Sequence, residues 1–257
     1  MILRVALAQM EVAIGRPEEN LSQATEMARR AADAAADLLL LPELWLTGYD
    51  LEATERHTRE FPEWLERWAE LARQFKMAMA GSVLANDPAG RPTNTAILLS
   101  SEGQLVGHYR KIHLFGTLGE VQHLVPGDET PSFALPWGTV ALAICYDLRF
   151  PELFRRYADQ GAELVLLPSE WPLRRLEHWR ILLRARAIEN QWYLLACNSV
   201  GRGPGETVFA GHSAVVGPWG ELLVEGGEQA DLLLAEIDLE EVARVRKAFP
   251  VLRDRRL

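Results

Sequence analysis

Short apolar runs alternate with longer amphipathic stretches along the chain. Runs bounded by Gly, Pro or charged residues predict strands, and apolar residues spaced three and four apart predict helices. The predicted strands are Ile2–Ala8, Leu38–Leu41, Met77–Val83, Thr95–Leu99, Val106–Arg110, Thr139–Ile144, Leu164–Leu167, Tyr193–Cys197, Ser213–Val216 and Leu232–Ile237. The predicted helices are Glu18–Ala36, Pro62–Phe75, Pro151–Gln160, Glu177–Glu189 and Glu240–Ala248. This alternation is typical of an α/β fold.

Glycine and proline mark the ends of several elements. Pro17 opens the first helix and Gly161 closes the third, because proline suits the first helical turn and glycine the residue after the last. The segments NDPAGRP at Asn86, SEGQ near Glu102 and GPWGE at Gly217 each mark a chain reversal. Such reversals favour antiparallel neighbours, so we expect mixed sheets.

The two halves of the chain repeat one pattern. VALAQM (5–10) leads through a helix to LLLLPE, and VALAIC (140–145) leads through a helix to LVLLPSE. Two related strand-helix-strand units, packed sheet against sheet, predict a four-layer α-β-β-α sandwich with two mixed β-sheets and a shared crevice at the strand ends. Chance similarity is the alternative, since apolar strands followed by proline are common. No linker or low-complexity segment interrupts the chain, so we expect a single domain over 1–257.

The composition is typical of a globular protein, with 48% hydrophobic and 25% charged residues. A formal net charge of −9 opposes binding to a nucleic-acid backbone and favours a small-molecule partner. No apolar run approaches the length of a membrane span, and the initial MILRVALAQM predicts a strand rather than a leader. The only two cysteines, Cys145 and Cys197, fit a reducing compartment better than a disulfide framework. We therefore expect a cytoplasmic protein that does not bind membranes.

Cys145 is the candidate nucleophile. It follows the apolar strand VALAI, and the polar residues Tyr146, Asp147 and Arg149 come directly after it, before the third predicted helix. A thiol at such a strand end can be presented at the rim of a sheet, and the helix terminus can favour the thiolate. The alternative is a small buried hydrophobe. Cys197, in WYLLACNSVG, lacks comparable neighbours and is interpreted as core.

Glu43 and Lys111 could supply the other groups that amide cleavage needs, a base and a positive site for the oxyanion. Glu43 ends LLLLPE, where Pro42 stops the strand and places the carboxylate beside apolar residues. Lys111 lies in YRKIHLF, among aromatic and apolar neighbours. Taken singly, they have ordinary interpretations as a loop glutamate and a surface lysine. Their occurrence together with Cys145 favours a catalytic set.

Other chemistries find less support in the sequence. The six histidines lack the paired spacing of a zinc site, so we predict no metal and no cofactor. A Cys-His-Asn arrangement around Cys145 has no local signature. The glycine-rich GRGPGE near Gly203 leads towards a strand rather than opening a helix, which argues against a phosphate site. Trp171 follows a strand end, where pockets form, and is the tryptophan to which we assign a role in binding.

The segments LLLLPE, YRKIHLF and CYDLRFPE, in this order, resemble the three motif blocks of the nitrilase superfamily of carbon-nitrogen hydrolases. The resemblance covers nearly the whole chain. It implies a Glu-Lys-Cys triad at Glu43, Lys111 and Cys145, a second glutamate at Glu120, and an oxyanion hole completed by the backbone N–H of Tyr146. It also implies the four-layer sandwich and a homodimer.

Within the superfamily, the segment 169–191 and the tail FPVLRDRR resemble the omega-amidase branch, which implies hydrolysis of 2-oxo acid amides such as 2-oxoglutaramate. Arg175 and His178 lie in the first of these segments and are the other candidates for substrate binding, because a planar guanidinium suits a carboxylate. A surface charge and a helix-start histidine are the alternatives. The competing enzyme is a carbamoyl-amine or carbamoyl-amino-acid amidohydrolase, and the competing class is a non-catalytic interaction module with the same fold.

Overall fold

The computed structural model describes residues 2–256, and it confirms the α/β alternation. The strands are β1 Ile2–Gln9, β2 Leu38–Leu40, β3 Ala78–Asn86, β4 Pro92–Leu99, β5 Leu105–Arg110, β6 Ser132–Leu135, β7 Gly138–Leu142, β8 Leu164–Ser169, β9 Tyr193–Asn198, β10 Ala214–Val216, β11 Leu222–Glu225 and β12 Asp231–Asp238. The α-helices are α1 Pro17–Asp33, α2 Thr54–Phe75, α3 Glu120–His123, α4 Pro151–Asp159, α5 Leu176–Asn190, α6 Glu240–Ala248 and α7 Val251–Asp254. None of the helices in 2–256 is both long and apolar enough to cross a membrane.

The strands form two six-stranded sheets. The first has the order β12-β1-β2-β3-β4-β5, and the second has the order β11-β10-β9-β8-β7-β6. In each sheet three consecutive strands run parallel, β1-β2-β3 in the first and β7-β8-β9 in the second. The remaining neighbours are antiparallel, including the pairs joined by the turns at Asn86, Glu102 and Gly217. Both sheets are therefore mixed, as those turns predict.

The two sheets pack face to face, and helices cover their outer faces. Alternation along β1 shows the arrangement, because successive side chains of a strand point to opposite faces. Val5 and Leu7 belong to an apolar cluster that contains Leu166 of the second sheet. Ala6 and Ala8 belong to another cluster, formed with residues of α1 and α2. The helices α4 and α5 pack on the second sheet, which completes the predicted four layers.

The repeat seen in the sequence is a structural repeat. The units β1-α1-β2 and β7-α4-β8 each place two parallel strands side by side. At the ends of β2 and β8, the backbone N–H of Glu43 donates a hydrogen bond to the carbonyl of Ser169, across 3.4 Å. The carboxyl ends of matching strands from the two sheets therefore meet at one place.

Two features of the elements differ from the sequence prediction. The helix predicted over Pro62–Phe75 begins at Thr54, and Pro62 lies inside it. The predicted start is misplaced because proline usually lies in the first turn of a helix. In the structure, His57 and Thr58 are already buried before Pro62, so packing on both sides of the proline outweighs the one backbone hydrogen bond that it removes. The strands β6 and β11 are not predicted because they form the edges of the second sheet, where partial exposure weakens the apolar pattern.

Candidate active site

Glu43 lies between the two sheets, directly after β2 and Pro42, and it is fully buried. Its Oε2 accepts a hydrogen bond from the backbone N–H of Glu170, at the end of β8, across 3.0 Å. Its Oε1 accepts from the Lys111 ammonium across 2.7 Å. The two carboxylate oxygens therefore contact different halves of the chain, Oε1 the first half through Lys111 and Oε2 the second half through Glu170.

Lys111 directly follows β5 and is also fully buried. Its Nζ donates to Glu43 Oε1 across 2.7 Å and to Glu120 Oε1 across 2.8 Å. Burial alone would lower the pKa of Lys111, but the adjacent Glu120 and Glu43 carboxylates raise it above its usual value. The ammonium is therefore a fixed positive charge that is shielded from bulk solvent.

Glu120 is the first residue of α3 and is fully buried. Its Oε2 accepts a hydrogen bond from the backbone N–H of Phe115 across 2.5 Å, while Oε1 contacts Lys111 and the Tyr49 hydroxyl, the latter at 3.5 Å. Burial raises the pKa of Glu120, and the Lys111 charge opposes that rise. The sequence-predicted Glu120 thus joins Glu43 around one ammonium.

Cys145 begins a short 3-10 helix, Cys145–Arg149, and its backbone has a φ of 43°. This left-handed conformation is strained for a residue other than glycine and turns the chain sharply at the strand end. The side chain is only 4% exposed. Burial and the neighbouring Glu43 raise the pKa of the thiol well above its usual value, although Lys111 acts to lower it. Burial and Glu43 therefore oppose the thiolate that the sequence led us to expect beside the following helix terminus, and a base close to the sulfur would help to remove the proton.

Asp147 holds the chain turn at Cys145 against the segment that carries Lys111. Its Oδ2 accepts a hydrogen bond from the backbone N–H of Ile144 across 2.9 Å. Its Oδ1 accepts from the backbone N–H of His113 across 3.1 Å and contacts the His113 Nδ1 at 2.7 Å. The buried carboxylate thereby joins the two motif segments that meet at the site.

A small cavity of about 10 Å³ lies at Cys145. It is lined by Phe115, Cys145, Tyr146, Arg149, Trp171, Pro172 and Arg175. The Tyr146 ring packs 4.9 Å from that of Phe115, so aromatic side chains form much of the wall. The guanidinium groups of Arg149 and Arg175 give this lining a positive character.

Arg175 and Trp171, both predicted from the sequence, line this cavity. The Arg175 guanidinium lies 5.5 Å from the centre of the Phe115 ring, and its buried Nη1 has no hydrogen-bond partner within residues 2–256. Burial, together with the nearby Arg174 and Arg149, lowers the pKa of Arg175. The indole N–H of Trp171 donates to the Arg175 carbonyl across 2.9 Å and so anchors this corner.

His178 lies apart from the other predicted residues. It is exposed on α5, does not line the cavity, and reaches it only through Arg149, whose guanidinium is 3.4 Å from the His178 Nδ1. A role in direct contact with a small substrate is therefore not supported by its position.

Three residues that sequence reasoning did not select also belong to the site. Asn94, on β4, contacts Glu43 and Glu120, and an asparagine inside the apolar run after Pro92 is the signal that points to it. Glu170 follows LVLLPS as Glu43 follows LLLLP, so the repeat itself marks it. Arg149 lies 4.6 Å over the Trp171 ring, and only its place in the polar cluster after Cys145 hints at this.

A model of the carbon-nitrogen hydrolase family matches residues 4–247 of the sequence. The chain belongs to the carbon-nitrogen hydrolase family. It is 41% identical over 254 residues to the 2-oxoglutaramate amidase of Bacillus subtilis (strain 168), an alignment that covers 97% of this chain and 96% of that one. It is 33% identical over 262 residues to the omega-amidase NIT2 of Homo sapiens, covering 98% of this chain and 95% of that one. The resemblance read from the motif blocks is confirmed.

In solved structures of a related amidase, small molecules have added covalently to the active-site cysteine. A mutant of the amidase from Nesterenkonia sp. AN1 carries the acetamide moiety of fluoroacetamide, added covalently at its active-site cysteine. That structure superposes with a TM-score of 0.87 and 31% identity, covering 98% of this chain and 96% of that one. The four-layer fold is thus that of known amidases, and this chain is a hydrolase that acts on carbon-nitrogen bonds.

Proposed function

We propose that this chain is an amidase that hydrolyses short 2-oxo acid amides, such as 2-oxoglutaramate, through a thioester on Cys145. The observation that carries the proposal is the position of the Arg175 guanidinium in the same small cavity as the Cys145 thiol. A cation there can bind a carboxylate while the thiol faces the amide at the other end of the substrate. The names of the relatives in Bacillus subtilis and Homo sapiens support the same substrate class.

In the proposed first half-reaction, Glu43 accepts the Cys145 proton as the sulfur attacks the amide carbon. The oxyanion that forms is stabilised by the Lys111 ammonium and by the backbone N–H of Tyr146. Glu43 then returns the proton to the nitrogen, the carbon-nitrogen bond breaks, and ammonia leaves. A thioester between the acyl group and Cys145 remains.

In the second half-reaction, Glu43 accepts a proton from a water molecule, whose oxygen attacks the thioester carbon. Lys111 again stabilises the oxyanion, the carbon-sulfur bond breaks, and the proton returns to the sulfur. The products from 2-oxoglutaramate are ammonia and 2-oxoglutarate. Glu120 takes part by positioning the Lys111 ammonium, which donates to its Oε1 across 2.8 Å.

Recognition of the substrate is assigned to the cavity wall. Arg175 pairs with the carboxylate of the substrate, because its planar fork matches two carboxylate oxygens and its Nη1 has no partner among the described residues. Trp171 and Phe115 pack against the short carbon chain. His178 is placed in an outer position, where it orients Arg149.

A substrate panel tests this proposal. The protein should hydrolyse 2-oxoglutaramate faster than simple aliphatic amides and much faster than ureido acids, and mass spectrometry should detect an acyl group on Cys145. Cys145→Ala should abolish turnover, and Cys197→Ala, the matched control at the fully buried second cysteine, should not. Preference for ureido acids would replace the substrate class with that of a carbamoyl-amino-acid amidohydrolase. Absence of any hydrolysis would favour the non-catalytic module.

We further propose that residues 1–257 form one domain and that the protein is a cytoplasmic homodimer. Both cysteines are free, which suits a reducing compartment. A set of apolar side chains near α5 is exposed, and a second copy of the chain would cover it. Its members are Ile181, Ile188, Trp219 and Phe249, with the last two rings stacked at 6.4 Å.

A further inference from the structure

The amide of Asn94 lies in the buried centre of the site, although no catalytic step above uses it. Asn94 is on β4 and is fully shielded from solvent, and its backbone carbonyl accepts a hydrogen bond from the backbone N–H of Lys111 across 2.8 Å. A neutral polar side chain in such a place must satisfy its hydrogen-bonding groups within the protein or lose stability. Its partners therefore indicate what it does.

The two hydrogens of the Asn94 amide are both used on catalytic carboxylates. Nδ2 donates to Glu43 Oε1 across 2.8 Å and to Glu120 Oε1 across 3.0 Å. The Lys111 ammonium donates to the same two oxygens, across 2.7 and 2.8 Å. Two donors and two acceptors thus form a closed ring in which one donor is charged and the other is neutral.

The ring makes the two oxygens of Glu43 unequal. Oε1 receives hydrogen bonds from Lys111 and Asn94, whereas Oε2 receives the backbone N–H of Glu170. An oxygen already held by an ammonium and an amide is a poor proton acceptor, because protonation would displace one of these donors. The other oxygen remains the better acceptor for the Cys145 proton.

We propose that Asn94 is a positioning residue that holds Glu43 and Glu120 by their Oε1 atoms and leaves Oε2 of Glu43 to take the Cys145 proton. This inference rests on the proposed roles of Glu43 and Cys145. The hydrogen bonds decide which atom of the Asn94 amide faces the carboxylates. If the amide were flipped, Oδ1 instead of Nδ2 would lie against the Oε1 atoms of Glu43 and Glu120, and oxygen atoms without a hydrogen between them repel each other. In the observed orientation Oδ1 is buried without a partner among the described residues.

The neutrality of Asn94 is part of the proposal. An ionised carboxyl at this position would place a third negative charge around a single buried ammonium. A protonated carboxyl, in contrast, has nearly the shape of the amide and offers one O–H donor. Replacement by aspartate therefore converts the positioning function into one that depends on pH.

The test measures the rate at which acrylamide adds to Cys145, followed by intact mass and peptide mapping from about pH 5 to about pH 9. In a structure of a mutant Nesterenkonia amidase, acrylamide has added to the active-site cysteine. This probe reports the reactivity of the thiol without requiring the natural substrate. The variants are Asn94→Asp and Asn94→Ala, with Thr93→Val as the matched control.

Thr93 suits this purpose because its buried hydroxyl donates to the Ala85 carbonyl, across 3.0 Å, on the same strand as Asn94. Near neutral pH, Asn94→Asp should react with acrylamide about a hundredfold more slowly than the wild type. At the acidic end of the range, the ratio of its rate to the wild-type rate should rise about tenfold. Asn94→Ala should show no such recovery at low pH. Instead, the pH below which its rate of acrylamide addition falls should be about one unit higher than in the wild type, because Glu43 becomes easier to protonate. Thr93→Val should keep the wild-type profile.

Each outcome bears on the inference. Recovery of Asn94→Asp at low pH, with wild-type behaviour of Thr93→Val, supports it. Two results would overturn the inference and leave the amidase proposal standing. One is an equal loss of the rate of acrylamide addition in Asn94→Asp and Asn94→Ala at every pH. The other is a rate of Asn94→Ala that falls at the same acidic pH as that of the wild type. Addition of acrylamide to a residue other than Cys145 would overturn both the inference and the amidase proposal. If Asn94→Asp fails to fold, the profile of Asn94→Ala alone decides.

Discussion

The hydroxyl of Tyr109 donates a hydrogen bond to Oδ2 of Asp147 across 2.8 Å, in a part of the core where both side chains are buried. Tyr109 lies on β5, which leads to Lys111, and Asp147 lies two residues after Cys145. One hydrogen bond therefore joins the strand that positions the ammonium to the chain turn that presents the thiol.

We predict that Tyr109→Phe slows hydrolysis several-fold and lowers the free energy of unfolding by about 2 kcal/mol, because the hydroxyl donates to Asp147 and also accepts from the backbone N–H of Ile112. Tyr157→Phe is the matched control, because the Tyr157 hydroxyl is also buried but donates to the Leu142 carbonyl, across 2.6 Å, and not to Asp147. Steady-state kinetics and denaturant unfolding of both variants check this. Equal catalytic losses in the two would show that only general stability matters.

Lys111→Met should reduce turnover about a hundredfold or more, because the oxyanion loses its charged partner. It should also lower the free energy of unfolding by about 3–5 kcal/mol, since Glu43 and Glu120 remain buried without their cation. Adding Glu120→Gln to the same chain should restore part of the stability and none of the activity. Kinetics alongside thermal melting separate the two effects, and recovery of activity with stability would contradict a catalytic role.

Glu170→Gln should become more stable relative to the wild type as the pH rises. Burial and the neighbouring Glu43 raise the pKa of Glu170 well above the 4.5 of an exposed glutamate, and one of its carboxylate oxygens has no partner within 2–256. Above about pH 4.5 the unfolded chain loses this proton, whereas the folded chain keeps it. The free energy of unfolding therefore falls as the pH rises from 4.5 towards the higher pKa of Glu170 in the folded chain. Glutamine does not titrate and removes that loss.

Melting temperatures measured from about pH 5 to about pH 8 check this prediction. The difference between Glu170→Gln and the wild type should grow across this range, whereas Glu206→Gln, at an exposed glutamate, should show a constant difference. A flat difference for both variants would mean that Glu170 is ionised in the folded protein.

Arg175→Ala should lower the ratio of 2-oxoglutaramate hydrolysis to hydrolysis of a neutral amide about tenfold or more, because only the charged substrate loses an ion pair. Arg175→Lys should give an intermediate ratio, since a lysine keeps the charge and lacks the planar fork. Arg174→Ala is the control at the adjacent exposed arginine, which does not line the small cavity. An unchanged ratio in Arg175→Ala would remove this residue from substrate recognition.

Ile188→Asp should shift the protein from dimer to monomer in sedimentation experiments, because Ile188 is 50% exposed on α5 within the apolar set near Trp219 and Phe249. Leu105→Asp is the control, since Leu105 is 51% exposed at the start of β5. A wild type that sediments as a monomer at micromolar concentration would contradict the proposed homodimer.

The sequence predicts the strand ends of this site better than the contacts between them. Pro42 and the polar residues after Cys145 mark where chemistry can be presented, because both interrupt apolar strands. The ring around Lys111 cannot be predicted in this way, since Lys111 and Glu43 are 68 residues apart and meet only when the strands of one sheet are in register. Asn94 is overlooked for the same reason: an asparagine in a strand shows its partners only after packing.

The last strand of the chain, β12, pairs with the first strand, β1. These strands pair over eight residues, from Ile2 with Asp238 to Gln9 with Asp231, so the last strand of the chain covers the open side of the first. On the ribosome, the segment that carries Cys145 emerges long before β12 does. Contacts so distant in sequence form late. Until β12 is synthesised, the nascent chain therefore contains the Cys145 segment together with a first sheet that still lacks one of its six strands.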